Sequence, residues 1–262
     1  MKKLVLDIGG TNTRIGRAEN NELKTVETIK TESVKNFETL LKNHVKDEDE
    51  IRVAVAGRVK EGKATVTNRD IQIKRDASPL PIEIYNDFES QARYVRKSHD
   101  DFIIVGPGTG LGVVTYKETI LESEGGHTEI QFRDKNLRNH VKQHVEEPIQ
   151  YEDVVSGPGL SVLNHYVNGE DLTPKDVAKN HDKEVFRLFS KLLGRFIKNM
   201  ALTTLPQNVF ITGGVAMKNP ELINLEALRQ ELTKTKTHTD YLQNIQVEII
   251  QDEHIGLKGL LL

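Results

Sequence analysis

The chain has 262 residues, a formal net charge of −3 and 29% charged residues, which is typical of a soluble globular protein. This charge balance and the lack of a basic stripe argue against a nucleic-acid partner. There are no cysteines, which excludes disulfides, thiolate zinc sites and a cysteine nucleophile. No apolar run is long enough for a signal peptide or a membrane span, so we expect no membrane partner and a cytoplasmic location.

The first part of the chain predicts a small α/β domain. A short buried strand at residues 4–6 and the start of a second strand at 14–17 flank a glycine turn, which predicts a hairpin. Residues 33–45 carry apolar side chains at helical spacing, and residues 88–95 also have a helical pattern. Further strands are expected at residues 51–56, 64–67, 71–73 and 82–85.

The strand, glycine turn and strand pattern recurs near residues 102–116, which predicts an ancient duplication. We place the boundary in the polar stretch 96–101, giving domains 1–98 and 99–253, and expect a helix at 254–262 to complete the first domain. Other predicted elements of the second domain are strands at 118–123, 209–212 and 245–250, and helices at 135–142, 185–205 and 222–232.

Two glycine-rich turns, at residues 7–13 and 106–112, can bring backbone N–H groups together around an anion. Asp7, at the end of the first strand, could hold Mg²⁺ through water. A tight hairpin whose glycines only supply positive φ explains the first turn equally well. The second turn matches neither the dinucleotide fingerprint nor a Walker A loop, since Leu111 breaks the first pattern and no Gly-Lys-Ser/Thr occurs.

Asn86-Asp87 ends a strand and precedes a helix. Asp87 could therefore simply cap that helix. The functional alternative makes Asp87 a general base towards a substrate hydroxyl, with Asn86 positioning a neighbouring hydroxyl. A carboxylate between two phosphate-sized turns suggests phosphoryl transfer to a hydroxyl.

Three further segments carry polar or glycine-rich signals. Glu124-Gly125-Gly126-His127 places a carboxylate and an imidazole on what we expect to be a flexible turn, and Glu152 precedes a Gly-Pro-Gly break. Such groups suit the vicinal hydroxyls of a polyol, although each segment alone could be an ordinary loop. Gly213-Gly214 follows a strand, at the end where open α/β sheets bind ligands.

Histidines give no independent metal signal. His140 and His144 are four residues apart on a predicted helix, but the zinc-protease glutamate is missing between them. A solvated helix face is the favoured interpretation of this pair. His165 is isolated and predicts nothing.

Together the motifs resemble those of the bacterial-type glucokinases, which are sugar kinases of the hexokinase/actin-like ATPase superfamily. The resemblance runs in order through most of the chain. It rests on residues 7–14, 67–68, 86–88, 106–112, 124–127, 152–160 and 210–214.

The resemblance implies a duplicated ribonuclease-H-like α/β fold of two domains, with an interdomain cleft that closes on sugar. It implies a homodimer that phosphorylates glucose on its 6-hydroxyl with ATP and Mg²⁺, and Asp87 as the catalytic base. Its sugar-binding residues would be Asn68, Asn86, Glu124, His127 and Glu152. Its nucleotide-binding residues would be Asp7, Gly9, Gly10, Thr11, Asn12, Gly108, Thr109, Gly110, Gly213 and Gly214.

The chain departs from the family pattern close to the expected sugar residues. Where the family usually has a tryptophan after Thr-Asn, this chain continues with Arg69-Asp70-Ile71-Gln72 and has no tryptophan. The hexose is therefore left open, with mannose, an N-acetylhexosamine or several hexoses as alternatives. A sugar sensor that does not turn over is a further alternative, against which the intact Asp87 argues. The cysteine zinc motif of the related repressor/open-reading-frame/kinase family is missing.

Overall fold

The computed structural model describes residues 1–67 and 69–262. It divides into two compact units. Unit 1 comprises Met1–His99 and Glu253–Leu262, and unit 2 comprises Asp100–Asp252. Within the described ranges, no helix combines the length and apolar character that a bilayer span requires.

Unit 1 is built on a five-stranded mixed sheet. Its strands are β1 (Lys2–Ile8), β2 (Asn12–Glu19), β3 (Glu22–Lys30), β4 (Glu50–Val55), β5 (Val59–Lys60), β6 (Lys63–Thr65), β7 (Gln72–Lys74) and β8 (Ile82–Asn86), and its first two helices are α1 (Phe37–His44) and α2 (Asp87–Val95). The large sheet has the order β3-β2-β1-β4-β8, and β5 to β7 form a separate small sheet. Leu4, Val5 and Leu6 are all fully buried, because β1 lies at the centre and is covered on both faces.

Unit 2 contains a second five-stranded sheet, in the order β11-β10-β9-β12-β13. Its strands are β9 (Asp101–Pro107), β10 (Leu111–Lys117), β11 (Thr119–Ser123), β12 (Asn208–Ile211) and β13 (Gln246–Ile249). Its helices are α3 (Lys135–Val141), α4 (Gly157–Asn168), α5 (Pro174–Asn180), α6 (Lys183–Thr204), α7 (Gly213–Lys218), α8 (Leu225–Leu232) and α9 (Thr239–Asn244). Helix α6 supplies much of the core through Phe186, Phe189 and Phe196, each of which stabilises the fold by ~1.5–3 kcal/mol when buried.

The two sheets have the same topology. Counted in chain order within each sheet, the first strand pairs antiparallel with the second, and the second pairs antiparallel with the third. The first strand also pairs in parallel with the fourth, and the fourth pairs in parallel with the fifth. This repetition confirms the predicted duplicated α/β fold. It also gives the two glycine turns equivalent places, since each follows the central strand of its sheet.

The C-terminal helix α10 (Ile255–Gly259) belongs to unit 1. Leu257 packs in one buried cluster with Val5 and Ala54 of the sheet. The hydroxyl of Ser90 in α2 donates to the carbonyl of Gly256 at 2.7 Å. A Cβ on Gly259 would lie 1.8 Å from the Ser90 carbonyl oxygen, so only glycine allows α10 to approach α2 this closely.

Three differences between the local structure and the sequence expectation have a clear physical cause. The helix predicted over 33–45 begins only at Phe37, because the Asn36 side chain caps it by accepting from Thr39 N–H. The Gly-Pro-Gly segment predicted as a break instead starts α4, where Ser156 is the cap and the proline lies in the first turn. Strand β3 was missed, since it is an edge strand without a buried residue and shows no apolar alternation.

Helix α6 begins after Asp182, whose side chain caps it. Asp182 accepts from the N–H groups of Glu184 at 2.9 Å and Val185 at 3.0 Å, and the Val185 bond is the main cause that lowers the pKa of Asp182. Asp182→Ala should lower the free energy of unfolding by about 1 kcal/mol at neutral pH, as measured by urea denaturation.

The same variant should show a defined pH dependence. Because the folded-state pKa of Asp182 is depressed, its contribution is present above the ordinary carboxyl pKa and is lost as pH falls through the lowered value. The deficit of Asp182→Ala should therefore shrink in acid, whereas Asp182→Asn caps without titrating and should stay close to the unmodified protein at neutral pH. A deficit in the alanine variant that is unchanged in acid would contradict the assignment.

Candidate active site

The first glycine turn connects β1 to β2 and is closed by its own backbone. The N–H of Gly9 donates to the carbonyl of Asn12 at 3.0 Å. The carbonyl of Gly9 accepts from the Thr31 hydroxyl at 2.7 Å. Because C=O and N–H lie on opposite sides of a trans peptide, this tether directs the N–H of Gly10 to the other side of the turn.

Arg69 holds the next peptide of this turn in the same way. Its Nε donates to the carbonyl of Gly10 at 3.0 Å, which directs the following N–H, that of Thr11, away from Arg69. The carbonyls of Gly9 and Gly10 are thus held on one side, and the N–H groups of Gly10 and Thr11 point to the other side. Successive N–H groups arranged in this way bind anions in proteins. Sequence reasoning missed this role of Arg69, since Arg69 lies between β6 and β7, 59 positions along the chain, and no pattern links it to the turn.

Asp7 lies at the end of β1, directly opposite Arg14 in the hairpin. Arg14 Nη1 is 3.1 Å from Asp7 Oδ2. Burial raises the pKa of Asp7 above its ordinary value, and the Arg14 charge opposes this shift. The side chain also packs against the start of α10, where a Cβ on Gly256 would lie 3.2 Å from Oδ2.

Asn86, and not Asp87, caps α2. Its Oδ1 accepts from the N–H groups of Phe88 at 2.9 Å and Glu89 at 3.2 Å, and its Nδ2 donates to the carbonyl of Gly57 at 3.1 Å. The capping interpretation of Asp87 is therefore wrong. Asp87 is the first residue of α2 and is half-buried, at the helix end where the macrodipole favours a negative charge.

The parallel strands of unit 1 bring these features to one edge of the sheet. Ile8 pairs with Val55, which in turn pairs with Asn86. The first glycine turn and Asp87 therefore follow strands that end side by side, separated by two strand spacings or roughly 10 Å. Asn68, which the resemblance assigns to the sugar, lies outside the described residues.

The second glycine turn is held from two sides within unit 2. The N–H of Gly108 donates to the carbonyl of Gly110 at 2.8 Å, which closes the turn, and the exposed Thr109 lies between them. Glu152 Oε2 accepts from the N–H of Leu111 at 2.8 Å. A Cβ on Gly110 would lie 2.2 Å from that oxygen, so glycine admits the carboxylate. The first N–H of α4, from Gly157, donates to the carbonyl of Gly108 at 2.7 Å.

Gly213 and Gly214 begin α7 beside this turn, whereas the sequence analysis placed them after a strand without predicting a helix. Gly213 has a φ of +78°, and a Cβ there would lie 2.5 Å from the carbonyl of Pro107. A Cβ on Gly214 would meet nothing within 4 Å, and one on Gly108 would have as its neighbour only the Gly214 nitrogen at 3.8 Å. The structure therefore brings the expected nucleotide residues of unit 2 together around open space.

The structure also brings Glu124, His127 and Glu152 together. His127 Nε2 is 3.8 Å from Glu124 Oε2, and His127 Nδ1 is 4.0 Å from Glu152 Oε1. All three side chains keep solvent exposure, of 71%, 47% and 31% in that order. Two carboxylates beside an imidazole can accept from and donate to neighbouring hydroxyls of one small molecule.

The turn that carries Glu124 and His127 is packed, and the expectation of flexibility is wrong. Gly125 and Gly126 are buried and form a single 3-10 turn with His127. A Cβ on Gly126 would lie 2.0 Å from the carbonyl of Leu111. The carbonyl of Gly126 accepts from the N–H of Glu152 at 3.0 Å. The two glycines therefore serve close approach of backbones.

Gln150 is a further member of this cluster that sequence reasoning missed. Its Oε1 lies 2.9 Å from His127 Nδ1. Gln150 forms a bridge with Glu129, directly before the turn that carries Glu152. Its position two residues before Glu152 was the available signal. This contact orients the imidazole ring of His127 within the cluster.

Sequence comparison relates nearly the whole chain to one family. The sequence model of the family described as Glucokinase matches residues 4–262. Glucokinases of Rhizobium etli and Brucella suis are 27% and 26% identical to this chain, and each alignment covers 98% of this chain and 89% of the relative.

Solved structures show the same fold. A Balamuthia mandrillaris glucokinase in complex with glucose has a TM-score of 0.83 at 22% identity, over 99% of this chain and 92% of that one. A ROK family glucokinase from Streptomyces griseus in complex with glucose and AMPPNP has a TM-score of 0.75 at 18% identity, over 99% and 98%. The resemblance drawn from the motifs is confirmed, and the chain belongs to the glucokinase family of sugar kinases.

Proposed function

We propose that this chain transfers the γ-phosphoryl group of ATP to the 6-hydroxyl of glucose, giving glucose 6-phosphate, with Asp87 as the general base. One observation carries the proposal: the glycine turn after β1 and the Asp87 carboxylate after β8 lie at one edge of the same sheet. Membership of the glucokinase family supports it, as do the glucose and AMPPNP complexes of the structural relatives.

Asp87 has the environment that this role needs. The α2 macrodipole favours its ionised form, so at neutral pH it accepts a hydrogen bond from the sugar hydroxyl and takes the proton as the phosphoryl group arrives. A positioned base contributes ~10²–10⁴-fold in rate. The larger part of the acceleration comes from positioning and from neutralising phosphate charge, which the N–H groups of Gly10 and Thr11 provide.

In this proposal the sugar is bound by the polar cluster of Glu124, His127 and Glu152 in unit 2. Asn68 and Asn86 are further ligands by family resemblance. Glu124 and His127 offer exposed groups to the hydroxyls. Glu152 has a double role in this scheme, because Oε1 faces His127 while Oε2 holds the N–H of Leu111 in the second glycine turn. A sugar that engages this carboxylate therefore also acts on the turn that holds the nucleotide.

The nucleotide and Mg²⁺ would be held at the two glycine turns. Mg²⁺ is commonly bound by one or two carboxylates, several waters and substrate phosphates, and Asp7 fits this as a single carboxylate beside the first turn. Its ion pair with Arg14 favours contact through water. The ion would neutralise phosphate charge. The remaining nucleotide ligands are the turn residues Gly9, Gly10, Thr11, Asn12, Gly108, Thr109 and Gly110, with Gly213 and Gly214 on the adenosine side. Homodimer assembly, a cytoplasmic location and closure on sugar stay predictions.

An ADP-release assay with glucose, mannose, N-acetylglucosamine and N-acetylmannosamine tests the proposal. The unmodified protein should turn over glucose, and Asp87→Asn should lower kcat by ~10²–10⁴-fold with little change in the KM for glucose. Asp240→Asn, an exposed carboxylate in unit 2, is the control and should keep full activity.

Each other outcome has a distinct meaning. Full activity of Asp87→Asn would refute the base assignment. Preferred turnover of another sugar would replace glucose and keep the chemistry. Sugar binding without turnover in the unmodified protein would favour the sensor.

The adjacent glycines at the start of α7 allow a matched pair of alanine variants, one expected to affect nucleotide binding and the other folding. Gly214→Ala places a methyl group in open space, so it should leave the melting temperature unchanged but raise the KM for ATP roughly tenfold, which corresponds to ~1.4 kcal/mol. Gly213→Ala combines a positive φ with a backbone collision and should lower the free energy of unfolding by ~1–3 kcal/mol. An unchanged KM for ATP in Gly214→Ala would place the nucleotide elsewhere.

Arg69 gives a prediction about the first turn. Arg69→Lys keeps the charge but loses the Nε donor to the carbonyl of Gly10, so the N–H of Thr11 is no longer directed. We expect a higher KM for ATP, by roughly tenfold at most, and an unchanged melting temperature. Arg75→Lys, at the residue after β7, is the control and should leave the KM unaltered. A kinetic profile of Arg69→Lys identical to that of the unmodified protein would show that this tether has no role.

A further inference from the structure

Three histidines that the sequence left without a function come together in unit 2. His140 and His144 were expected on a solvated face, and His165 was expected to be isolated. The ring centroid of His140 is 4.5 Å from that of His144 and 5.1 Å from that of His165, and the rings of His144 and His165 are 5.0 Å apart. One nitrogen from each ring lies within 4.8 Å of the other two.

His140 and His144 each hydrogen-bond to a backbone oxygen, whereas the carboxylate nearest to His165 lies beyond hydrogen-bonding distance. His144 Nδ1 donates to the carbonyl of His140 at 3.0 Å, which leaves Nε2 as the ligand atom. His165 Nε2 lies 3.9 Å from Asp171 Oδ1, while its Nδ1 faces His140 Nε2 at 3.4 Å. The ring of His140 also hydrogen-bonds to the backbone of Val162. Histidine ligands of protein metal sites carry this arrangement, in which an oxygen acceptor orients the nitrogen that does not bind the metal.

The surroundings hold the cluster in place and leave it open on one side. The Tyr166 ring packs 5.3 Å from the ring of His140, and its hydroxyl donates to Asp134, the residue that caps α3. A cavity of about 260 Å³ is lined by His144, His165 and Asp171 together with neighbouring residues of α4. An ion could enter from this cavity, and a water molecule could complete its coordination.

We propose that His140, His144 and His165 form a site for one divalent transition-metal ion of the Zn²⁺ type, with water as the fourth ligand. Imidazole nitrogens suit Zn²⁺, Co²⁺, Ni²⁺ and Cu²⁺, and none of the hard cations that phosphates use. Tetrahedral coordination at Zn–N distances of ~2.0–2.1 Å places the ligand nitrogens ~3.4 Å apart. The His140–His165 pair already has this separation, and the ligand nitrogen of the exposed His144 lies within 4.8 Å of both.

The site is separate from the residues assigned to sugar and nucleotide. It joins the end of α3 to α4, whose first N–H holds the second glycine turn through the carbonyl of Gly108. A bound ion would therefore stabilise unit 2 and tether α4. This inference does not depend on the proposed kinase activity.

Titration of the chelator-treated full-length protein with ZnCl₂ tests the site, by calorimetry and by thermal denaturation. We expect one Zn²⁺ per chain and a melting temperature that rises with free Zn²⁺ concentration. Co²⁺ in place of Zn²⁺ should give the visible absorption of a tetrahedral nitrogen site. His140→Asn and His165→Asn should each weaken binding at least tenfold, whereas His181→Asn, a histidine of the same unit outside the cluster, should bind normally.

Two results would overturn the site. One is the absence of stoichiometric Zn²⁺ or Co²⁺ binding by the unmodified protein. The other is undiminished binding in His165→Asn, because His165 is the one ligand of the proposed site that α4 contributes. The melting temperatures of the metal-free variants, compared with that of the metal-free unmodified protein, separate loss of the site from loss of folding.

Discussion

The side chain of Asn86 is the constraint on which the proposed chemistry depends. Its oxygen caps α2 and its nitrogen holds the carbonyl of Gly57, so one amide joins the end of β8, the start of α2 and the loop after β4. The start of the helix then does not depend on the Asp87 carboxylate. Asp87 is fixed at a defined place, as the first residue of α2 where β8 ends.

The two units share one topology but secure their glycine turns by different means. In unit 1 the carbonyls of Gly9 and Gly10 are tied back by Thr31 and Arg69. In unit 2 the turn is held by the Glu152 carboxylate and by the first N–H of α4. The duplicated sheet therefore supplies the position of each turn, and residues outside the repeated pattern supply its orientation.

This division explains what the sequence could and could not predict. The hairpins around both turns follow from buried apolar runs and glycines that are close together in the chain, and the sequence located them. The sequence did not predict strand β3, because an exposed edge strand needs no apolar pattern. The sequence did not predict the roles of Arg69 and Gln150, because these roles depend on contacts that only the folded backbone creates.

The same limit applies to the helices and to the histidine cluster. Ser156 and the proline after it form a helix start, yet in the sequence the flanking glycines indicate a break. His165 is 25 positions from His140 and joins it only because α3 and α4 pack together.

The rate of phosphoryl transfer within the bound complex tests the central claim most directly, because it separates chemistry from product release. A rapid-quench, single-turnover experiment would compare Asp87→Asn with the unmodified protein, both saturated with glucose. The account predicts transfer slowed by ~10²–10⁴-fold while the glucose dissociation constant stays within a few-fold. Transfer at the unmodified rate would contradict it.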